Sequence, residues 1–495
     1  MSLSIEVEHF ETDVLIVGGG AAATMAAFEC ATAGVKTIQV TKGRATSGTT
    51  TVARGGFAAA MGKDDSPAQH LDDILKYGGE LIDPEMARAW CEDIVQIVKD
   101  LEEWGAEFIR GEDGELDLKM FPNHSHPRAC HHYDTTGNMV TKVLSKRLRG
   151  DDRIEKHSLT AIVDLIKHDG RVVGAWGVDY RNAKLVTYSA QQVILATGGG
   201  SGLFYVNDNP PQVTGDGYVM GFRAGADLLG IEMIDFQAMC CSPEELFGFA
   251  PHPTGFINAG AVFRNEEGEE FLKRYFPDTA EKSSRSEVIL AMAKEIHAGR
   301  AGSTGGIYMD ATAIPIETIQ KQIPHVYKTC LHRGIDITKT PLEVAPGSHT
   351  WLGGLDVDTY GQSSIPGLFA AGETAGGIHG GNRIGGSALA ASLAFGRRAG
   401  RKAAELVGSE PVSVPTLGDN AIPEEERSWL AGLMERTDGP FQGDVRMHCR
   451  MLAHEKLGPI RDEANLREAL NEYERIEKED LQTLRLSEAA RETGK

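Results

Sequence analysis

A glycine-rich turn near the start of the chain is the first segment whose residue types and spacing indicate chemistry. It reads Gly18-x-Gly20-x-x-Ala23 and follows a short apolar run at residues 12–17. Small residues here let the backbone approach a pyrophosphate, which the free amides of the next helix can bind. The turn therefore predicts dinucleotide binding by Gly18, Gly19, Gly20, Ala21, Ala22 and Ala23. The nicotinamide version of the fingerprint has an acid after the second strand, where this chain has Thr41-Lys42.

Three later segments carry residues that suit contact with the same cofactor. Residues 47–56, which read SGTTTVARGG, fit a loop that wraps a cofactor, and equally an ordinary threonine-rich loop. Asp216 follows a strand that ends in Thr-Gly-Gly-Gly, and it could accept hydrogen bonds from a ribose or act only as a turn residue. Glu373 ends an Ala-Ala-Gly-Glu strand, where a carboxylate can bind a ribitol or ribose hydroxyl. The helix that follows would present amides that stabilise negative charge on a reduced flavin.

The elements that position these residues form a strand–helix–strand unit. Residues 21–33 are good helix formers closed by Gly34, and residues 35–40 are typical of the next buried strand. Residues 73–104 carry helical patterning, and a strand is predicted at 193–196. Residues from about 235 to 340 are more polar and indicate an inserted domain, whereas residues 424–492 are charged and helical.

Composition and charge limit the classes of partner. The 495 residues are 41% hydrophobic and 24% charged, with a net charge of -21, which argues against nucleic acid or an anionic membrane surface as a partner. Seven scattered cysteines without a Cys-x-x-Cys pair predict a reducing compartment, no metal site and no iron–sulfur cluster within the chain. We expect no signal peptide and no transmembrane segment, and therefore a cytoplasmic protein or a peripheral subunit of a membrane complex.

Taken together, these motifs resemble the flavoprotein family of succinate dehydrogenase, fumarate reductase and L-aspartate oxidase. The resemblance extends from about residue 13 to about residue 399 and includes several weaker matches in the right order. These matches are the segments 103–108 (EWGAEF), 265–275 (NEEGEEFLKRY), 284–288 (SRSEV) and 349–354 (HTWLGG).

The resemblance implies a role for each matched residue. FAD would contact the glycine turn and the following residues: Thr41, Lys42, Thr49, Thr50, Gly55, Gly56, Asp216, Glu373, Ser387 and Ala388. Arg383 and His349 would bind substrate carboxylates, and a guanidinium group suits a carboxylate in a bidentate pair. Arg285 matches the proton donor and acceptor of the family. Because arginine stays protonated in proteins, Arg285 fits that role only within a proton relay or as an electrostatic partner of a developing carbanion.

Two departures from the family pattern concern the flavin link and the substrate side. Segment 47–50 has no histidine at the position of the covalent FAD link, so we expect non-covalent FAD. The Gln-Phe-His-Pro-Thr substrate segment is replaced by DFQAM at 235–239, and the downstream Arg-Gly-Glu-Gly segment is absent. A His-Pro-Thr occurs at residues 252–254, which makes His252 a further catalytic candidate. Either a short insertion has shifted that motif or the match is accidental.

The predicted fold is a Rossmann-type α/β FAD-binding domain in two segments, 1–235 and 341–410, with an inserted α+β capping domain at 236–340 and a helical C-terminal region at 411–495. The predicted reaction moves hydride between flavin N5 and a carbon beside a carboxylate of a small substrate. A fumarate reductase or succinate dehydrogenase type of enzyme would need an iron–sulfur subunit or a soluble electron donor. An L-aspartate oxidase or other carboxylate oxidase, or a flavin-binding subunit with altered or lost chemistry, are the alternatives.

Overall fold

The chain contains both strands and helices, in an order that mixes short runs of each. The computed structural model describes residues 6–44, 48–133, 135–251 and 253–487. The strands are β1 (Val7–Val17), β2 (Thr37–Thr41), β3 (Phe57–Ala58), β4 (Ala129–Cys130), β5 (Ile154–Ser158), β6 (Thr160–His168), β7 (Arg171–Asp179), β8 (Lys184–Leu195), β9 (Leu228–Leu229), β10 (Ile234–Cys241), β11 (Val262–Arg264), β12 (Ile307–Asp310), β13 (Leu342–Trp351), β14 (Gly354–Leu355) and β15 (Leu368–Ala370). The helices are α1 (Ala21–Thr32), α2 (Pro67–Gly78), α3 (Pro84–Glu103), α4 (Thr136–Arg149), α5 (Asp216–Ala224), α6 (Pro253–Ala259), α7 (Phe271–Tyr275), α8 (Arg285–His297), α9 (Ile316–Gln322), α10 (Pro324–His332), α11 (Ser387–Ser409), α12 (Glu424–Glu435), α13 (Gln442–Lys456) and α14 (Glu463–Arg475).

A mostly parallel sheet forms the first layer of the molecule. Its strand order is β5-β2-β1-β8-β7-β6, and β15 also pairs with β8. The pairs among β5, β2, β1, β8 and β15 are parallel, whereas β6 and β7 form an antiparallel ribbon beside β8. The predicted β1–α1–β2 unit is confirmed, and Gly34 follows α1 with a positive φ of 79°. The carboxyl ends of the parallel strands therefore meet at one edge of the sheet, where ligands bind in open α/β folds.

Two predicted elements differ from those observed. β1 begins at Val7 rather than at residue 12, because its polar first half pairs with residues 185–190 of β8. The helical segment predicted at 73–104 is two helices, α2 and α3. Gly79 breaks the pattern with a positive φ of 67°, and Asp83 caps α3 by accepting hydrogen bonds from its first-turn amides.

A second sheet lies in the region predicted to be inserted. Its order is β10-β13-β12-β11, and it packs with α8 around a separate core that includes Phe236, Phe263 and, from α8, Met292. β13 follows the predicted boundary at residue 340 and pairs with both β10 and β12. Helix α8 starts with a capping box between Ser284 and Glu287, which fixes the start of the helix and so the position of Arg285, its first residue. The domain limits drawn from the sequence stay a prediction.

Helix α11 packs against α1 at backbone contact distance. A side-chain carbon built on Gly396 would lie 2.3 Å from the carbonyl oxygen of Ala22, and one built on Gly400 would lie 2.5 Å from that of Ala26. Only glycine allows this approach, because any Cβ would have to push the two helices apart. The start of α11 is thereby fixed relative to the glycine-rich turn that precedes α1.

Helices α12, α13 and α14 follow the sheet domains, as the charged pattern from residue 424 predicted. The end of that predicted segment, residues 488–492, lies outside the described residues. Ala453 of α13 contributes to the core of the second sheet, so the C-terminal helices are packed against the inserted region. In the described ranges, we find no helix with both the length and the apolar character needed to cross a bilayer.

Candidate active site

A cavity of about 1020 Å³ opens at the carboxyl edge of the parallel sheet. The ends of four parallel strands reach it, through Val17, Thr41, Ala196 and Ala371. Residues of the inserted region line the same cavity, among them Gln237 and Arg285. The site therefore lies between the parallel-sheet domain and the region inserted into it.

The glycine-rich turn forms part of the cavity wall. Gly18, Gly19, Gly20, Ala21 and Ala22 all line it. Gly18 has φ of 140°, and a Cβ at this position would lie 2.1 Å from the carbonyl oxygen of Ala196, so the crossing of β1 and β8 requires glycine. Gly20 precedes α1 and has no capping side chain, so first-turn amides other than that of Ala21, which donates to Thr50, are available to an anionic ligand.

Ala23 has a different role from its neighbours in the motif. It is completely buried and does not reach the cavity. Its methyl group lies beneath Gly18, because a Cβ built on Gly18 would be 3.4 Å away from it. The last position of the motif therefore supports close packing of strand and helix and makes no contact with the cavity.

The threonine-rich loop folds over the start of α1. The Ala21 amide donates to Thr50 Oγ1 at 3.1 Å, and Thr49 Oγ1 donates to Asn209 Oδ1 at 3.0 Å. Thr49, Thr50, Gly55 and Gly56 line the cavity. The Gly137 amide donates to the Ala53 carbonyl at 2.8 Å and so anchors the loop to α4. The described part of the loop is in place to cover a ligand bound at the glycine turn.

Lys42 and Asp216 form an ion pair on the cavity wall. Lys42 Nζ lies 2.5 Å from Asp216 Oδ2 and donates to Thr214 Oγ1 at 2.7 Å. Thr41, Lys42 and Asp216 all line the cavity, as expected for cofactor contacts. Asp216 is the first residue of α5, so its carboxylate also faces the positive end of that helix.

Glu373 is a carboxylate held close to the backbone of β13 and of the loop after β8. Its Oε1 accepts a hydrogen bond from the Trp351 amide at 2.8 Å. A Cβ at Gly199 would lie 2.2 Å from the same oxygen, so the carboxyl group occupies space that only glycine leaves open. Burial raises the pKa of Glu373 to about 7, which makes this carboxyl group a titratable acceptor near neutral pH.

The two residues predicted at the start of α11 are placed differently. Ala388 lines the cavity. Ser387 is buried instead, and its hydroxyl donates to the Ile384 carbonyl at 3.0 Å, which closes the turn before the helix. Ser387 therefore lies outside the cavity lining, and a cofactor contact by its hydroxyl stays a prediction.

Two arginines from distant segments meet at one aspartate. Arg285 Nη2 donates to both carboxylate oxygens of Asp235 at 2.7 Å, and Arg383 Nη2 donates to Asp235 Oδ2 at 3.1 Å. Burial opposes ionisation of Asp235, but the two guanidinium groups outweigh it and lower the pKa of the carboxyl group. Both arginines line the cavity, so the structure brings these two predicted site residues together.

His349 lines the same cavity and is oriented by an acidic neighbour. Its Nδ1 lies 2.8 Å from Asp208 Oδ2. Burial disfavours the charged ring, but the Asp208 carboxylate more than compensates and raises the pKa of His349. With Nδ1 directed at Asp208, Nε2 is the nitrogen available to a ligand.

Comparison with known proteins identifies the family. The family model described as an FAD binding domain matches residues 13–389 of the chain. The chain belongs to this family. It is therefore an FAD-dependent flavoprotein, and the prediction of FAD and of an oxidoreductase is confirmed.

Relatives and solved structures extend the match over nearly the whole chain. A fumarate reductase (CoM/CoB) subunit of Methanothermobacter marburgensis is 37% identical over 421 residues, which are 81% of this chain and 74% of that protein. L-aspartate oxidase of Pseudomonas aeruginosa is 31% identical over 87% of this chain and 80% of its own length. The structure of Mycobacterium smegmatis Sdh1 in complex with UQ1 superposes with a TM-score of 0.89 at 33% identity and covers 97% of this chain and 82% of that one. The predicted fold class is confirmed.

The residues around the cavity also fit FAD when they are considered independently of the family match. The wall offers the backbone of Gly18, Gly19 and Gly20, first-turn amides of α1 other than that of Ala21, and the hydroxyl-rich loop over them. Glu373 adds an acceptor for a hydroxyl. These are the donors and acceptors that a diphosphate and a ribose or ribitol require. Lys42 Nζ donates to Asp216 and Thr214, which leaves one of its three donors for the cofactor.

His252 lies outside the described residues, so its predicted catalytic role stays a prediction. Gln237, which takes the place of the histidine in the family's substrate segment, does line the cavity. Asp208 and Asp235 are the functional candidates that sequence reasoning missed. The only available signal was the unusual acid at the start of segment 235–239, which marks Asp235; nothing in the sequence around Asp208 distinguishes it from a turn residue.

A buried charge network lies beneath the loop that carries Arg383. Arg128 is fully buried, donates to both oxygens of Asp65 at 2.6 and 2.7 Å and to Asp73 at 2.5 Å. It also lies 3.3 Å from His124 Nδ1. Because arginine can only donate, His124 Nδ1 must accept, and Nε2 carries the proton. His124 Nε2 then donates to the Gly385 carbonyl at 2.8 Å.

Proposed function

We propose that this flavoprotein catalyses the oxidation or reduction of a small carboxylate substrate that is bound between its FAD-binding domain and the inserted region. The observation that carries the proposal is the convergence of Arg285 and Arg383 on one wall of the cavity that also contains the glycine turn. Bound FAD would supply the acceptor or donor of a hydride. Arginines at such a position are suited to hold a carboxylate by paired hydrogen bonds.

Each cationic residue has a distinct proposed task. The Arg383 side chain is 6% exposed and pairs with Asp235, which suits positioning of the substrate. Arg285 is 32% exposed and reaches the cavity from the start of α8. There it would stabilise negative charge that develops beside a substrate carboxylate. His349 would hold a proton on Nε2 and donate it to a substrate oxygen, while Asp208 keeps the ring oriented.

The direction of the reaction and the electron partner are also part of the proposal. The relatives include L-aspartate oxidases and a fumarate reductase subunit. By analogy with the reductase, electrons would be exchanged with an iron–sulfur subunit or a soluble donor, and by analogy with the oxidases, with oxygen. We favour the reductase type, because the higher identity is to the fumarate reductase relative. We also propose the cytoplasm as the location, including the periphery of a membrane complex.

Steady-state assays of the FAD-loaded protein test the proposal. Fumarate with a reduced dye, succinate with an oxidised dye, and L-aspartate with oxygen separate the reductase, dehydrogenase and oxidase activities. The variant Arg383→Lys is compared with the wild type, because it keeps the positive charge and loses the paired donors of the guanidinium group. Activity on a carboxylate that falls strongly in Arg383→Lys supports the proposal. If FAD binds and no carboxylate either binds or reacts, the chain is a flavin-binding subunit with different chemistry.

A further inference from the structure

A single amide side chain, that of Asn209, joins the loop over the glycine turn to the histidine on the substrate side. Thr49 Oγ1 donates to Asn209 Oδ1 at 3.0 Å, across 160 residues of chain. Asn209 Nδ2 donates to the backbone carbonyl of His349 at 2.7 Å and to Asp208 Oδ1 at 3.0 Å. Both protons of the amide and its oxygen are therefore used, and each of the three bonds leads to a residue that lines the cavity.

The partners of Asn209 fix the orientation of its amide group. The ionised carboxylate of Asp208 and the carbonyl of His349 can only accept hydrogen bonds, so the amide nitrogen must face them. The amide oxygen then faces Thr49, whose hydroxyl has to donate. The direction of every bond between the loop and the histidine is thereby determined.

The turn that carries Asn209 is held beside the strand that carries His349. The backbone N–H of Asn209 donates to the side-chain oxygen of Asn207 at 3.0 Å, and Asn207 forms a β-bridge with Ser348. Asp208 lies between the two asparagines, with Oδ1 bonded to Asn209 and Oδ2 at 2.8 Å from His349 Nδ1. Loss of the Asn209 donors would therefore release one of the two oxygens of the carboxylate that orients the histidine ring.

From these contacts we infer that Asn209 is a positioning residue for His349, and that it makes the order of this histidine depend on the loop that covers the cofactor. The inference rests on the proposed function, because that function gives His349 its contact with the substrate. Asn209 lies behind the residues that line the cavity, so it acts through Asp208 and through the backbone of His349. The substrate side of the site would be complete only when the threonine-rich loop is in place.

Binding of fumarate to the oxidised, FAD-loaded protein reports on His349 without turnover. Burial opposes a charge on this ring, but Asp208 outweighs it and raises the pKa of His349; Arg383, Asp235 and Glu373 are the other charged or titratable groups that face it. Because the protonated ring favours an anion, fumarate affinity should fall as the pH rises through this pKa. Calorimetric titration at a series of pH values gives the dissociation constant and the midpoint of the change. His349→Gln shows which part of the change belongs to this ring.

Two variants interrupt the connection at different ends. Asn209→Asp keeps an acceptor for Thr49 and replaces both donated bonds by repulsion from Asp208 and from the carbonyl of His349. It should weaken fumarate binding by about tenfold or more and move the midpoint upward by about one pH unit, because a second carboxylate favours the protonated ring. Thr49→Val leaves the donated bonds intact, so it should weaken fumarate binding by only about threefold and leave the midpoint unchanged.

The double variant tests whether the loop acts through Asn209. Once Asn209→Asp has cut the connection to His349, Thr49→Val should cause no further loss of fumarate affinity, whereas independent effects would multiply. Asn182→Asp is the matched control. Asn182 Nδ2 donates to Asp179 at 2.7 Å in an exposed turn away from the cavity, so the same replacement there should change neither the affinity nor the midpoint.

Each outcome of these titrations has a definite meaning. Wild-type affinity and midpoint in Asn209→Asp, or independent effects of the two replacements, would overturn the inference and leave the proposed function intact. If the wild-type protein with bound FAD does not bind fumarate, the proposed dicarboxylate site and this inference fail together. If Asn209→Asp does not fold, Thr49→Val decides the question, because unchanged fumarate affinity in protein that retains FAD contradicts the dependence on the loop.

Discussion

His124 Nε2 donates a hydrogen bond to the carbonyl oxygen of Gly385, two residues beyond Arg383, at 2.8 Å. This bond connects the buried Arg128 network to the loop that presents the substrate arginine. Burial lowers the pKa of His124, which favours the neutral ring, and the Arg128 donor at Nδ1 leaves the proton on Nε2. The loop before α11 is thus held by a side chain that belongs to a different segment of the sequence.

His124→Leu should destabilise the protein by about 1–3 kcal/mol, because the Gly385 carbonyl and Arg128 would each lose a buried partner. It should also raise KM for the substrate more than it lowers kcat, since Arg383 would lose its fixed position. Urea unfolding and steady-state kinetics measure the two effects. His124→Gln, which retains an N–H donor, should recover much of the KM. If both variants keep the wild-type KM and kcat, the network acts only on stability.

FAD should dissociate from the protein on acid denaturation, because segment 47–50 has no histidine for a covalent link. Precipitation with acid and centrifugation should leave the yellow colour in the supernatant. A succinate dehydrogenase flavoprotein with a covalent link serves as the control and should keep its colour in the pellet. Flavin that stays with the precipitated chain would contradict the expectation.

Glu373→Ala should weaken FAD binding by roughly one to two decades, because a hydrogen bond to a charged acceptor contributes about 1.5–3 kcal/mol. Titration of the apoprotein, followed by quenching of flavin fluorescence, gives the dissociation constant. Asp358→Ala is a suitable control, because the Asp358 carboxylate accepts hydrogen bonds from the loop amides of Tyr360 and Gln362 and does not line the cavity. The same FAD affinity in Glu373→Ala and the wild type would assign Glu373 a purely structural task.

The raised pKa of Glu373 predicts a pH-dependent stability of the apoprotein. The pKa of the Glu373 carboxyl group is 4.5 in its usual environment and about 7 in the folded chain. The protonated group therefore contributes its full share to the stability of the folded chain below about pH 4.5, and this contribution is lost as the pH rises through 7. Relative to Glu373→Gln, the wild-type apoprotein should therefore lose about 3 kcal/mol of stability between pH 4.5 and pH 8. Urea unfolding across this range gives the free energy of unfolding of both proteins at each pH. The same pH dependence in the two proteins would contradict the prediction.

Arg383→Lys and Arg285→Lys should differ in their kinetic effects. A lysine at 383 loses the paired donors that hold the substrate, so affinity should fall strongly while FAD stays bound. A lysine at 285 should lower turnover more than affinity, because its proposed interaction strengthens mainly in the transition state. Measurements of kcat and KM on the best substrate from the assays test this contrast. Wild-type turnover in both variants would contradict the assigned roles.

The cofactor half of the site was predictable because most of its residues belong to short motifs of neighbouring residues. Gly18 and Gly20 lie between β1 and α1 in one strand–helix unit, which the sequence shows directly, although the carbonyl that requires glycine at position 18 belongs to Ala196 after β8. Ser387 and Ala23 belong to the same motifs, yet they face inward, since a motif does not specify which of its small residues turns toward the ligand. Only three-dimensional packing decides that orientation.

The substrate half was predictable only in part, because its contacts are long-range. Arg285 and Arg383 could be proposed from matched segments, but their shared partner, Asp235, is 50 residues from one and 148 from the other. Asp208 likewise reaches His349 across 141 residues. The pairing of such residues depends on how β10, β13 and α8 are stacked, and no periodicity in the sequence reports it.

The contact between α1 and α11 has a consequence for how the chain can be divided. Gly396 and Gly400 of α11 complete the packing of a helix that begins far earlier in the chain, at Ala21, and β15 completes the sheet beside β8. A fragment that ends at residue 235 would expose the apolar face of α1 and an unpaired edge of β8 to water. We therefore expect that the first segment of the FAD-binding domain does not fold when it is expressed alone. The two distant segments must be present in one chain, or be supplied together as complementing fragments, before either folds stably.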